Sequence, residues 1–290
     1  VTEGGSSVPR RQVGRLLKQA REAAGVPVET AVRTIEVGRN KLYRMENGEA
    51  PVRQIEAEKL CSLYQVSADL TEVIVALSGE TKVKGWWHAY GDAVPAWFEL
   101  YVGMEGAASR LRQFEPALIP GLLQTEAYAQ AILSVDPNVG PEALAERVRA
   151  RLTRQRLLTR SAPPPPALEI FLDETVLLRP IHGSDEWCRQ LAHLVNMSTK
   201  PGISVRILPR LAGLHLANES GAFVILDFPR LGPRPPEPTT VYSEGLTGAL
   251  YLDKPQEVAA FERVWLELDR LALDRNASDD LISTIIKETV

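Results

Sequence analysis

The run Val37-Gly-Arg-Asn-Lys-Leu-Tyr-Arg-Met-Glu-Asn-Gly48 constrains this chain more than any other stretch. Read as one short helix, it turns Val37, Leu42 and Met45 inward. Arg39, Asn40, Tyr43 and Arg44 then share the opposite face, because positions 39/43 and 40/44 are each four apart. Gly48 stands where a helix closes with a left-handed residue. The outer face combines groups that neutralise phosphates with groups that read base edges. Arg suits guanine and Asn suits adenine in the major groove, which admits a helix of about this size.

The flanks supply a matching frame. Gln12 to Ala24 is amphipathic, with Val13, Leu16, Leu17, Ala20 and Ala24 on one side and Arg15, Lys18, Arg21 and Glu22 on the other; Gly25 stops it. Residues 28–34 read as a second helix and Glu36-Val37-Gly38 as a turn. Residues 39–46 are the recognition helix, followed by helices over Ile55–Tyr64 and Ala68–Leu77. The pattern predicts a helix-turn-helix module. Residues 10–66 carry 11 Lys/Arg against 7 Asp/Glu, although the whole chain has a net charge of −4. A basic reader is thus joined to an acidic body, and two readers in a homodimer would supply the electrostatics that one weak module lacks.

On these residues, positions 10–78 resemble the lambda-repressor-type, or Xre, helix-turn-helix family. The resemblance implies that Arg21 and Glu46 form a structural pair. It also implies that Arg39, Asn40, Tyr43 and Arg44 are the base-reading positions, and that Lys41 and Asn47 contact phosphate. Two departures stand out. Glu36 occupies a turn position where the family has Gly at positive φ, at a cost of roughly 1 kcal/mol. Pro27-Val28 replaces the usual Thr-Gln, which removes one base or phosphate contact but suits a first helical turn.

At 290 residues and 44% hydrophobic, the chain is long enough for about two cores. No apolar run approaches the roughly 18 residues that span a bilayer, and Val-Thr-Glu-Gly-Gly-Ser-Ser at the start lacks a leader pattern, so a cytoplasmic location with no membrane contact is expected. Cys61 and Cys188 lie among apolar residues and are expected as buried free thiols. Trp86, Trp87, Tyr90, Trp97, Phe98 and Tyr101 form an aromatic cluster, followed by the Pro/Gly-interrupted Glu115–Gln124. Residues 141–160 read as a helix bearing Arg147, Arg149, Arg151, Arg154, Arg156 and Arg160; a solvated face or intersubunit salt bridges to the acidic body are favoured over a second nucleic-acid surface. Strands are expected at 111–114 and, after the stiff linker Ser161–Ala167, at 168–172, 203–208, 222–228 and 239–242, with helices at 185–197, 255–273 and 278–287. The fold class is α+β: an all-α lambda-repressor-like domain over 10–78 and a mixed α/β effector, partner-binding and dimerisation domain over 79–290.

Enzyme chemistry has little support. His88, His182, His193 and His215 are isolated, and neither a metal-ligand spacing, a phosphate-cradling Gly loop nor a nucleophile elbow is present. No catalytic residue, cofactor or metal is expected. Asp173 with Glu174, and His215 with Glu219, would make a carboxylate site only if the fold assembled them. An alternative is a ligand-sensing regulator in which the loop Pro209–Gly221 covers a small-molecule pocket.

A second resemblance spans residues 10–290. Gly85-Trp-Trp87, Trp97-Phe98 to Tyr101-Val-Gly-Met-Glu105, Phe114-Glu-Pro-Ala-Leu-Ile-Pro-Gly-Leu-Leu-Gln-Thr-Glu126, Leu172-Asp-Glu-Thr-Val176 and Glu244-Gly-Leu-Thr-Gly-Ala-Leu-Tyr251 resemble the C-terminal domain of WhiJ-like regulators, antitoxin-like Xre transcription factors. That resemblance implies a DNA-binding regulator acting on double-stranded DNA with a small BldB-like partner protein. Trp86, Trp87, Leu122 and Leu123 are the residues expected to contribute to docking it.

Overall fold

Four successive helices near the start of the chain end in one and the same way, and this shapes the first part of the fold. The computed structural model describes residues 8–79, 94–181, 183–230, 236–245 and 248–289. By compactness the chain forms two units, Val1–Met104 with Gly245–Lys254, and Glu105–Glu244 with Pro255–Val290. The first unit therefore takes in more chain than residues 10–78, including a segment that returns late in the sequence.

The first unit contains α1 (Val8–Ala23), α2 (Val28–Thr34), α3 (Arg39–Glu46), α4 (Gln54–Leu63) and α5 (Ala68–Gly79), with α6 (Val94–Ala107) running across the division. Val13, Leu17, Ala31, Leu42, Met45, Leu60 and Ile74 are buried together as its core. At Gly14, α1 passes so close to the end of α3 that a Cβ would lie 2.3 Å from the Met45 carbonyl oxygen and 2.9 Å from that of Glu46. No larger residue fits there without moving backbone.

Each of α1 to α4 closes with a left-handed residue: Gly25 (φ 63°), Glu36 (φ 54°), Gly48 (φ 69°) and Gln65 (φ 55°). In each, the next N–H reaches back to a carbonyl five residues earlier: Val26 to Arg21, Val37 to Val32, Glu49 to Arg44 and Val66 to Cys61, at 2.8 to 3.0 Å. This is the Schellman closure, which satisfies carbonyls that a helix end leaves open. Three of the four residues after the turn are Val, matching the apolar contact that accompanies the motif.

In the second unit, β1 (Arg110–Glu115), β2 (Ala167–Asp173), β3 (Ile203–Leu208), β4 (Phe223–Asp227) and β5 (Thr240–Gly245) run in the order β3-β2-β1-β4-β5. The first three are parallel, β4 is antiparallel to β1, and β5 is antiparallel to β4. A further strand, β6 (Gly248–Leu252), lies in the returning segment. The helices are α7 (Glu126–Leu133), α8 (Pro141–Arg154), α9 (Glu174–Leu177), α10 (Ser184–Ser198), α11 (Ala217–Ser220), α12 (Pro255–Leu271) and α13 (Arg275–Thr289). On one sheet face, Phe171 meets Trp265 of α12 and Phe223 meets Phe261, with ring centroids 4.4 and 5.1 Å apart. Arg112, buried on that face, is held by Glu262 at 2.5 Å and Asp227 at 3.0 Å. This α+β arrangement agrees with the class read from the sequence, and the expected strands fall within a residue or so of their observed ends, save for the longer C-terminus of β5.

The Pro/Gly-interrupted segment is a correction. Leu122 and Leu123 are buried, at 2% and 0% exposure, in a single 3₁₀ turn, Gly121–Leu123, so neither offers its side chain to a partner. Irregular backbone of this kind can be buried only if its polar groups are paired. Three glutamines do this. Gln190 donates to Leu123 O and accepts from Thr125 N, Gln155 donates to the carbonyls of Gly121 and Gln124, and Gln124 donates to Ile119 O. The arginine helix is likewise turned to internal use. Arg154 binds Glu105 in bidentate fashion at 2.6 and 3.0 Å, Arg151 donates to Gln124 and Arg160 to Gly106 O. Trp86, Trp87, Tyr90, His88 and His182, and the side chains of Trp97 and Phe98, lie outside the described residues.

The two non-glycine closures generate a prediction. A left-handed conformation costs an ordinary residue ~1 kcal/mol, partly offset in a Gly variant by the freer unfolded chain. Glu36→Gly and Gln65→Gly should each raise the melting temperature, by at most a few degrees, in thermal circular dichroism. A fall in either would mean that the side chain makes a compensating contact.

Candidate nucleic-acid interface

The orientation of α3 is set from behind. Arg21, in the last turn of α1, donates Nε and Nη2 to the two carboxylate oxygens of Glu46 at 2.6 and 2.9 Å. Their side chains are only 12% and 6% exposed, so this is an internal clamp, as the resemblance implied. It leaves Leu42 and Met45 buried and fixes which side of α3 looks outward. Arg39, Asn40, Lys41, Tyr43, Arg44 and Asn47 are all exposed, and 40, 43, 44 and 47 follow one another at helical spacing.

These six residues differ in what holds them. Arg39 is ion-paired with Glu29 of α2. Asn47 donates its amide to Tyr43 O at 2.6 Å, so it is bound into the helix end. Lys41 places its ammonium 2.9 Å from Glu56 Oε1, a carboxylate just 2% exposed that also accepts from Arg53 N and Arg53 Nη2 at 2.9 Å each. Lys41 thus has an internal duty, neutralising a buried acid at the start of α4, that the sequence did not show. Arg44 has no carboxylate partner among the described residues. Pro27, at φ −63° and ψ 145°, stands at the N-cap of α2 without a side-chain hydrogen bond.

Three residues considered for other chemistry have local partners. Asp173 caps α9 by accepting from Thr175 N, Glu174 pairs with Arg210, and the His215 ring meets the edge of Phe114. Glu115, at the end of β1, is a strongly perturbed carboxyl. Burial pushes its pKa up to about 7, assisted by nearby Glu244 and opposed by a hydrogen bond from Gln113. Among the described residues no three His, Cys, Asp or Glu are grouped to hold a metal ion. Cys61 is buried, with its thiol pKa pushed up by burial, while Cys188 is partly exposed; both are free. A shallow groove of about 530 Å³ lies on the reader, lined by Thr34, Ile55, Glu58, Lys59, Ser62 and Leu63.

This architecture defines a DNA-binding regulator built on a helix-turn-helix, and residues 12–74 match the family described as a helix-turn-helix domain. The chain belongs to the family described as Domain of unknown function (DUF5753), matched over residues 98–284. No curated protein and no solved structure matches it. No helix among the described residues is long and apolar enough to cross a membrane.

Glu56 makes the reader sensitive to acid. Burial would raise its pKa, but hydrogen bonds from Arg53 N, Lys41 and Arg53 outweigh that and hold it below the ordinary 4.5. A lowered carboxyl contributes stability above its unfolded value and loses it as pH falls through the folded one. The reader should therefore lose stability below about pH 4.5, and Glu56→Gln should flatten that limb while lowering stability at neutral pH. Thermal melts across this range check both outcomes.

Proposed function

We propose that the chain is a sequence-specific transcriptional regulator of the Xre type, acting in the cytoplasm as a homodimer, with α3 laid in the major groove of double-stranded DNA. Arg39, Asn40, Tyr43 and Arg44 read bases in this account, and no catalytic step or cofactor is involved. The observation that carries it is the two-sidedness of α3. Leu42, Met45 and the Arg21–Glu46 clamp fix one side, leaving a basic and amide-bearing side exposed. Two copies would address two half-sites about one helical turn apart.

Arg44 gives the cleanest test, since no acid among the described residues pairs with it. Arg44→Ala should weaken binding to a selected operator by about 1–3 kcal/mol with an unchanged circular dichroism spectrum. Equal affinities for the variant and the parent would remove this face of α3 from base reading.

The finer part of the proposal is a small cognate partner protein, in an antitoxin-like pair, docked on the second unit. With Leu122 and Leu123 assigned to the core, the support comes from the loop after β3. Leu211 and Leu214 are 97% and 96% exposed there, an unusual outlay of apolar surface for an isolated protein. A partner that covers them would gain on the order of 1.5–3 kcal/mol for each leucine. Co-expression with a small BldB-like protein should give a complex that Leu211→Asp/Leu214→Asp abolishes without affecting DNA binding. A complex that survives the double substitution would place the docking surface elsewhere.

A further inference from the structure

One acidic residue stands on the side of the reader that the proposed function turns toward DNA. Glu29 lies in the first turn of α2, and its carboxylate is paired with Nη2 of Arg39, the first residue of α3. The two side chains are 49% and 70% exposed, so neither needs the other to escape burial, and exposed pairs of this kind contribute little to stability. A carboxylate at such a place also repels the phosphate backbone. Its presence calls for a purpose other than holding the fold or strengthening binding.

The chemistry of guanidinium supplies one. Arg39 has five donors in one plane, and guanine is read by two of them placed together on O6 and N7. An unrestrained arginine at a helix start swings between a base edge and the nearest phosphate. Pairing one nitrogen with Glu29 limits that swing and leaves other donors for a base. The pairing partner is itself anchored: the Glu29 carbonyl accepts from Arg33 Nε at 3.2 Å, and α2 starts at the conformationally fixed Pro27. Arg44 offers the internal contrast, because it has the same guanidinium on the same helix and no carboxylate partner among the described residues.

We propose that Glu29 is a specificity-determining residue, which holds Arg39 in the orientation that reads one guanine and disfavours its use as a general phosphate contact. This rests on the reading of α3 as the recognition helix. Arg39 thereby contributes discrimination at one position, and Arg44 contributes affinity with less discrimination. The negative charge of Glu29 lowers binding to every sequence alike, a cost recovered only on the correct one.

The test is selection from a randomised duplex library with the full-length protein, followed by titration of the selected duplex with each base substituted in turn. The position read by Arg39 is the one whose preference disappears in Arg39→Ala. At that position the parent protein should prefer guanine by about tenfold or more. Glu29→Gln should reduce this to about threefold or less, leave the other positions as they were, tighten binding to unselected DNA, and steepen the salt dependence by about one charge. A merely structural role for Glu29 would shift the melting temperature and weaken all positions together, and that result overturns the proposal. So does an unchanged guanine preference in Glu29→Gln. If the parent selects no sequence at all, the recognition role of α3 fails first and takes this inference with it. If it selects one that Arg39→Ala leaves intact, the recognition role survives and the role of Glu29 does not.

Discussion

The Arg21–Glu46 clamp is the interaction on which the reading face depends. It ties the last turn of α1 to the last residue of α3, beside the point where Gly14 lets the two backbones meet. A buried ion pair is weak evidence for net stability, since desolvation consumes much of its Coulomb energy, but losing one member leaves a charge stranded at a cost of about 3–5 kcal/mol. Its value here is geometric. Rotating α3 by one residue, about 100°, would separate Glu46 from Arg21 and exchange buried Leu42 for exposed Tyr43. The clamp, the packing and the Gly48 closure therefore specify one orientation together. Arg10 adds to it by donating Nε to Gly48 O at 2.6 Å.

Charge in the reader follows from the same constraint. Not every basic residue of the reader is free for DNA, because several neutralise acids inside the unit: Arg21 on Glu46, Lys41 and Arg53 on Glu56, and Arg11 on Asp253 of the returning segment at 3.3 Å. That last pair, 8% and 5% exposed, means that a residue far along the chain helps to complete the unit. A charge count along the sequence overstates what an electrostatic search for DNA can use. On α3 itself, Arg39 is shared with Glu29 and Arg44 is not, which separates two residues that look alike in sequence.

Much of this was legible because it is encoded locally. Helix limits in the reader follow from apolar spacing and from stops such as Gly25 and Gly48, and the departure at Glu36 led to an expected positive φ that is found at 54°. Gln65 adopts the same conformation without a glycine, and only the following Val66, parallel to Val26 and Val37, hints at it. What stayed hidden depends on long-range partners. Leu122 and Leu123 look like a docking surface because proline and glycine surround them. Their burial is made possible by Gln155 and Gln190, distant in sequence and unremarkable in pattern. Lys41 looks like a phosphate contact until α4 brings Glu56 beneath it.

The second unit shows where such internal pairing leads. Arg112, Arg154 and Arg160 have partners within the unit, Gln124, Gln155 and Gln190 satisfy buried backbone, and Arg110 binds Glu169 in bidentate fashion at 2.6 and 2.8 Å. Groups fixed in this way rigidify a scaffold, because each would leave an unpaired polar atom if it moved. The exceptions are Arg112 Nε and His215 Nδ1, which are buried without a hydrogen-bond partner among the described residues. Leu211 and Leu214 have the opposite character. They sit beyond a strand end on a loop tied down by the Glu174–Arg210 pair and by the bond from Leu216 N to Glu267, so the loop is held in place while its leucines remain uncovered. A fixed loop with exposed apolar tips loses little ordering entropy when it is covered.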